Sequence, residues 1–202
     1  MKRVLWLTVL ALALPLAAFA DSVDFTNSGG ILAGSTSGLS LTGSALIAVN
    51  GLNGLGIVTG SDLGSVSFST GALSGGSLQM GGTFAAGGSF TITGNGSNGI
   101  PNGTIFAGTF SGPATWTLVT LANGTHNYTL TGAVAGTLGS NFFTSGVTVQ
   151  LTVNTGRGFF NGRTRISSGD TNVVVPEPGS LSLLGTGLLG LAGVIRRKLK
   201  VS

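Results

Sequence analysis

The sequence predicts an all-β domain, an antiparallel β-sandwich or jelly-roll-like fold, flanked by an N-terminal signal-peptide helix and a C-terminal transmembrane helix. Two observations predict the β domain. Short segments in the middle of the chain alternate apolar residues with Ser or Thr, which is the period-two pattern of half-buried strands. Asn-Gly and Gly-Gly pairs near these segments suit the positive φ angles of hairpin turns. A third observation predicts the two ends, because each carries an apolar run bordered by basic residues.

The first twenty residues have the three regions of a secretory signal peptide. Lys2-Arg3 begins the segment, an apolar run follows over 4–14, and the small-residue site Ala18-Phe19-Ala20 ends it. We therefore expect cleavage after Ala20, which makes Asp21 the first residue of the exported protein. Such a signal implies passage through the Sec translocon and removal by signal peptidase.

Residues 21–175 hold the predicted strands. The clearest is 147–153, where four apolar residues alternate with three polar ones. Roughly ten to twelve strands of this kind favour two sheets that each bury one face. A β-solenoid is the main structural alternative, although the chain has no fixed repeat length. The segments with strand patterns are 66–69, 90–93, 106–110, 116–118, 128–131, 147–153 and 173–175.

Two further patterns concern the connections. The stretch 29–64 is less regular than the rest, with Ser, Thr and Gly between short apolar pieces, and it predicts edge strands or a long loop. The Gly and Asn-Gly pairs predict turns. They are at 53–54, 75–76, 81–82, 87–88, 95–96, 98–99, 102–103, 123–124 and 161–162.

The C-terminal end combines Pro176-Glu177-Pro178, an uncharged stretch over 179–195 and a basic tail over 196–202. The stretch has 17 residues, and a helix rising about 1.5 Å per residue would cover about 25 Å, a little less than a bilayer core of about 30 Å. Basic residues beside a membrane helix stay in the cytoplasm. This predicts a single pass through the inner membrane, with residues 21–178 outside and the C-terminus cytoplasmic. The basic residues that stop the helix are Arg196, Arg197, Lys198 and Lys200.

This C-terminal layout resembles the PEP-CTERM sorting signal of Gram-negative bacteria. The matching features are the Pro176-Glu177-Pro178 motif, the short Leu/Gly-rich helix and the basic cluster, in that order. The resemblance implies processing near the motif by an exosortase, a membrane-embedded cysteine protease, and delivery to the cell surface or outside the cell. The two prolines remove two backbone donors and keep the motif extended, which suits a protease substrate. A plain membrane anchor that is never cut is the alternative.

The positions of the charged residues argue against a nucleic-acid partner, and we expect none. The whole chain carries a net charge of +4, which by itself would suggest an anionic partner. Residues 21–175, however, contain three arginines and four aspartates, a net charge of −1. The basic excess therefore belongs to the two ends.

The composition also limits the chemistry. The chain has no Cys and a single His, which argues against disulfide scaffolds and against Cys-based or His-clustered metal sites. We expect no cofactor, no metal and no catalytic residues. His126 lies in a turn that enters a strand, so a solvated loop residue is the favoured interpretation. A secreted glycan-active enzyme is the least favoured function, since a retaining glycosidase would need two carboxylates about 5 Å apart.

The segment 157–165 contains every basic residue of the predicted domain. Arginines bind carboxylates in pairs, so together with aromatic rings this segment could contact an acidic polysaccharide. The favoured interpretation is a hairpin with its turn at 161–162, one phenylalanine in the core and solvated arginines. The candidate contact residues are Arg157, Phe159, Phe160, Arg163 and Arg165.

The sequence therefore predicts a structural protein of the cell surface or extracellular matrix, held briefly in the inner membrane and then delivered outside. Neutral β-strand edges pair easily unless they are blocked, so self-association fits this role. A polysaccharide-binding module that contacts exopolysaccharide is the alternative.

Overall fold

The computed structural model describes residues 22–139 and 142–174, which belong to one of the two units into which the chain divides, Ser22–Val175. These residues form a 13-stranded sheet and one 3-10 helix at Leu52–Gly54. Within these ranges, no helix has both the length and the apolar character needed to cross a membrane. The strands are β1 (Ser22–Ser28), β2 (Ile31–Ser35), β3 (Gly38–Asn50), β4 (Val58–Ser69), β5 (Leu73–Ser77), β6 (Gly81–Phe84), β7 (Gly87–Asn95), β8 (Asn102–Phe110), β9 (Ala114–Thr120), β10 (His126–Leu138), β11 (Phe142–Asn154), β12 (Arg163–Arg165) and β13 (Ser168–Val174).

The pairings confirm the predicted all-β, antiparallel class, because each pair of neighbouring strands is antiparallel. The alternating segments lie in β4, β7, β8, β9, β10, β11 and β13. Buried and exposed positions alternate along most of β10, as the sequence pattern predicts for a strand with one face in the core. The local pattern therefore identifies these strands correctly.

The strands belong to one sheet rather than to the two separate sheets of a sandwich. Eight of them close into a ring in the order β1, β3, β4, β7, β8, β10, β11, β13 and back to β1. The ring depends on pairings between strands far apart in the chain, above all β1 with β13. An alternating pattern reports only which face of a strand is buried, so it could not indicate this closure.

Two long strands change partners along their length and therefore carry branches. The first half of β10 pairs with β9, and its second half pairs with β8. From β9 the branch continues through β6 to β5. In the same way, the first half of β3 pairs with β2, which pairs with β12. A backbone hydrogen bond of 2.9 Å, donated by Leu73 N–H to the Thr36 carbonyl, connects the two branches.

Aromatic side chains from β4, β7 and β8 pack against one another in the buried core. Neighbouring centroids lie 5.9 to 6.3 Å apart, mostly edge to face. Such pairs contribute about 0.5–1.5 kcal/mol each beyond the burial of their area. The residues are Phe68, Phe90, Phe106 and Phe110.

The stretch 29–64 is where the prediction of edge strands or a long loop was wrong. It contains β3, a 13-residue strand that is one of the eight strands of the ring. The alternation fails there for two reasons: β3 shifts register twice against β4, and it buries polar Ser44. Asn27 donates a side-chain hydrogen bond of 2.7 Å to the Ser44 hydroxyl, which donates in turn to the Ser28 carbonyl. A buried serine with this pairing is stable, but it interrupts the apolar pattern.

The paired glycines have two different roles. Asn98 and Gly99 have φ angles of 53° and 82°, so this Asn-Gly pair lies in a turn, as predicted. The pairs at 75–76, 81–82, 87–88 and 102–103 lie inside β5, β6, β7 and β8 instead. A Cβ atom at Gly76 would overlap the Gly81 carbonyl oxygen across the β5–β6 pair. At this position glycine permits close approach of two strands rather than a turn.

Candidate functional site

The predicted sorting and processing residues lie outside the described residues. They are Ala18, Ala20, Asp21, Pro176, Glu177, Pro178, Arg196, Arg197, Lys198 and Lys200. The structure does describe the strands to which the two ends of the chain connect, and it describes the whole arginine and aromatic segment 157–165.

The first and last strands of the domain are neighbours. Ser22 of β1 faces Val174 of β13 in an antiparallel pair that runs to Asn27 and Gly169. The chain therefore enters and leaves the domain at the same end of the sheet. The last described residue, Val174, lies two positions before the Pro-Glu-Pro motif.

The connection from β11 to β12 carries three of the five candidate contact residues. Its beginning is fixed to the start of β10, because Thr155 N–H donates to the His126 carbonyl at 3.0 Å and His126 N–H donates to the Gly156 carbonyl at 2.7 Å. The Thr155 hydroxyl also donates to the Gly158 carbonyl at 2.6 Å. Arg157 lies in this turn with an exposed side chain.

Phe160 lies in the core, with 1% of its surface exposed. Its ring contacts Trp116 edge to face at 5.5 Å, and Trp116 stacks on Tyr128 at 5.0 Å. The Tyr128 hydroxyl accepts from Phe160 N–H at 3.1 Å and donates to the Gln79 carbonyl at 2.6 Å. This burial leaves the Phe160 ring unavailable to a ligand at the surface.

Phe159 points the other way, and 48% of its surface is exposed. Its ring stacks on the His126 ring with a centroid distance of 4.4 Å and an angle of 15°. His126 is 8% exposed, and its Nδ1 lies 3.1 Å from the Thr120 hydroxyl. The interpretation of His126 as a solvated loop residue was therefore wrong, because it is a buried strand residue beneath Phe159. Its partner comes from a distant part of the chain, so no local sequence signal indicates the contact.

Arg163 and Arg165 are brought together by β12. They lie two residues apart, opposite Ala33 and Ile31 of β2, and both are exposed. Alternate residues of a strand point to the same face, so the two guanidinium groups share one side of the sheet. Arg157, in a turn outside the strand, is not part of this pair.

The predicted hairpin over 157–165 was wrong, since β12 pairs with β2 and not with the segment before it. Gly162 has a positive φ of 94°, and its carbonyl accepts from Gly34 N–H at 2.8 Å. The Asn-Gly pair thus turns the chain toward a different strand. The strand β12 pairs with the edge of β2 instead of forming a hairpin with the segment before it. Sequence spacing alone does not indicate this pairing.

The described residues outside this segment carry few charges. Residues 63–156 contain no Asp, Glu, Lys or Arg. In the ranges 22–139 and 142–174, no group of three His, Asp or Glu side chains could hold a metal ion. Asp24 and Asp170 lie on neighbouring strands, where Asp24 accepts a hydrogen bond from Asn172 and Asp170 faces Thr26.

The comparisons concern the C-terminal end. Residues 174–198 match the family model of the PEP-CTERM protein-sorting motif, and this match contains Pro176, Glu177 and Pro178. No curated protein and no solved structure matches the chain. The motif match supports exosortase-dependent, membrane-associated sorting followed by export to the cell surface. It begins at the last residue of β13, so the sorting segment follows the folded sheet directly.

Proposed function

Because the chain is a PEP-CTERM domain-containing protein, we propose that it is an exported, non-enzymatic structural protein of the cell surface or extracellular matrix. The observation that carries this proposal is the sorting motif at 174–198, placed directly after a β domain with a net charge of only −1. With no charged residue over 63–156, copies of the domain meet little electrostatic repulsion, which favours assembly at a surface.

The route of export is part of the proposal. A signal peptide directs the chain through the Sec translocon, and signal peptidase cuts after Ala20. The helix over 179–195 then holds the protein in the inner membrane with Arg196 to Lys200 in the cytoplasm, until an exosortase cuts near the motif. Ser22 faces Val174 across the β1–β13 pair, so both proposed cuts would fall close to one end of the sheet.

Mass spectrometry of the protein from cells with and without the exosortase tests the route. We expect termini at Asp21 and near Pro176 in the first strain, and an intact C-terminus in the second. A triple alanine variant of Pro176, Glu177 and Pro178 should match the strain without exosortase. A basic tail retained in both strains would indicate a plain membrane anchor that is never cut. An intact Met1 would contradict the signal peptide.

A polysaccharide-binding role is the second candidate, and the pair of exposed arginines on β12 favours it. Arg163 and Arg165 share one face of the strand, so two guanidinium groups are available to neighbouring carboxylates of an acidic polysaccharide. The double variant Arg163→Gln/Arg165→Gln should lose retention on acidic exopolysaccharide. Arg157→Gln serves as the control, because it removes one exposed arginine that lies outside the strand. Unchanged retention of the double variant would remove this candidate.

A further inference from the structure

We propose that the open edge of β5 pairs with β5 of a second copy, so that one antiparallel sheet continues through two molecules. This inference rests on the proposed structural role and names the surface through which copies would assemble. β5 is the last strand of the branch that runs from β10 through β9 and β6. Among the described strands it pairs with β6 alone.

The open edge lies in the four residues after Leu73. Leu73 N–H is used by the Thr36 carbonyl, which connects the beginning of β5 to the other branch. Ser74, Gly75 and Gly76 are exposed and Ser77 is half-buried. A strand edge of this kind presents backbone donors and acceptors that another strand can pair.

A comparison within the domain supports the choice of β5. The strand β12 also has a single partner strand among the described residues, but two of its three residues are exposed arginines. Charged side chains are a common protection of edge strands against pairing with other chains. The residues of β5 carry no charge and no proline, and the nearest charged residues in sequence are Asp62 and Arg157. β5 therefore lacks the charged side chains that protect the edge of β12.

The proposed partner of β5 is β5 of a second copy, related to the first by a two-fold axis. A two-fold axis would set β5 against itself, so any charge near the axis would meet an identical charge. Gly75, at the middle of the strand, avoids this repulsion and adds no side chain. Met80, in the turn between β5 and β6, is 67% exposed and offers an adaptable apolar contact beside the strand. Because an open edge of four residues, 74–77, spans only about 14 Å, we expect a dimer that forms and dissociates with concentration.

Cysteine cross-linking provides a direct test, since the chain has no natural cysteine. A Cβ atom at Gly75 would meet no atom within 4 Å and its φ is not positive, so Gly75→Cys fits without strain. Gly56→Cys is the matched control, because Gly56 is equally open and lies in a loop outside the strands. Ser74→Cys tests a dimer whose two-fold axis lies one residue away, so that Ser74 rather than Gly75 meets its counterpart in the second copy.

The full chain carrying one cysteine would be expressed in its host and treated with a mild oxidant. We expect a disulfide-linked dimer for Gly75→Cys or Ser74→Cys, and several-fold less for Gly56→Cys. The same dimer should appear in cells without the exosortase, so a failure of the sorting proposal would leave this result unaffected. Equal yields from all three variants would overturn the proposal.

A charge substitution gives an independent measurement. In the purified full chain in detergent, Gly75→Lys should abolish the concentration-dependent dimer seen by sedimentation, whereas Gly56→Lys should retain it. Circular dichroism of both variants should match the parent, which excludes unfolding as the cause. A dimer that persists in Gly75→Lys would place the contact elsewhere and contradict the proposal.

Discussion

Asn172 donates a side-chain hydrogen bond to the Asp24 carboxylate, and this bond joins the last strand of the domain to the first. The two residues are 148 positions apart in the chain. Both are half-buried, so water screens the bond only in part. The bond lies close to the Ser22–Val174 end of the pair, where the ring of eight strands closes.

Removal of this bond should weaken the closure of the ring. We expect Asn172→Ala to lower the free energy of unfolding by about 1–2 kcal/mol, because a hydrogen bond to a charged group is lost at a partly exposed position. Urea denaturation of the processed protein would measure the change. Asn50→Ala is the control, since Asn50 faces Asp24 from β3 and is exposed. Equal losses in the two variants would contradict a special role for the Asn172 bond.

The Tyr128 hydroxyl should contribute more to the stability of the fold than its small size suggests. Tyr128→Phe keeps the ring on Trp116 but removes the partner of two backbone groups, Gln79 C=O and Phe160 N–H. Of these two groups Phe160 N–H is buried, and a buried group left without a partner costs about 1–3 kcal/mol. Thermal unfolding would show the loss, whereas Thr129→Val, a hydroxyl removed from the half-buried opposite face, should change stability by about 0.5 kcal/mol or less. Similar shifts for both would argue against the network.

The neighbouring phenylalanines 159 and 160 should respond very differently to truncation. Phe160→Ala leaves a cavity beside Trp116, and such changes cost about 3–5 kcal/mol. Phe159→Ala removes a half-exposed ring and should cost about 1 kcal/mol or less. Denaturant midpoints of the two variants give the comparison directly. If Phe159→Ala were the more destabilising change, the described orientation of the two rings would be reversed.

Gly64 should tolerate no side chain. It lies in β4 with a φ of 147°, and a Cβ atom there would overlap the Thr93 carbonyl oxygen of β7. Strained backbone of this kind costs about 1–3 kcal/mol before the overlap is counted. We expect Gly64→Ala to reduce the yield of folded protein and its unfolding temperature. Gly112→Ala, at an open position without positive φ, is the control and should match the parent.

The strands that could be predicted are those with one apolar face and no interruption. Thr148, Gln150 and Thr152 alternate with buried apolar residues in β11, so the local pattern describes the local structure. β3 could not be predicted in this way, because its register shifts and the buried Ser44 depend on partners in β1 and β4. The single closed sheet also depends on pairings between distant strands.

The candidate contact residues show the same limit. The sequence alone showed that all three arginines of the domain lie within 157–165. The pairing of β12 with β2, which places Arg163 and Arg165 on one face of a strand, came only from the structure. Whether Phe159 and Phe160 are exposed or buried depends on contacts with His126 and Tyr128, which lie far away in sequence. The sorting motif needed no tertiary information, since its residues are contiguous.

The β1–β13 pair also links protein folding to protein export. On the proposed export route, β1 crosses the membrane before β13, so one edge of β1 stays open until β13 has emerged. Pairings between distant segments form slowly and leave unsatisfied edges during that interval. Because the proposed cut near Pro176 lies after β13 in the chain, release on this route would follow the emergence of the strand that closes this edge.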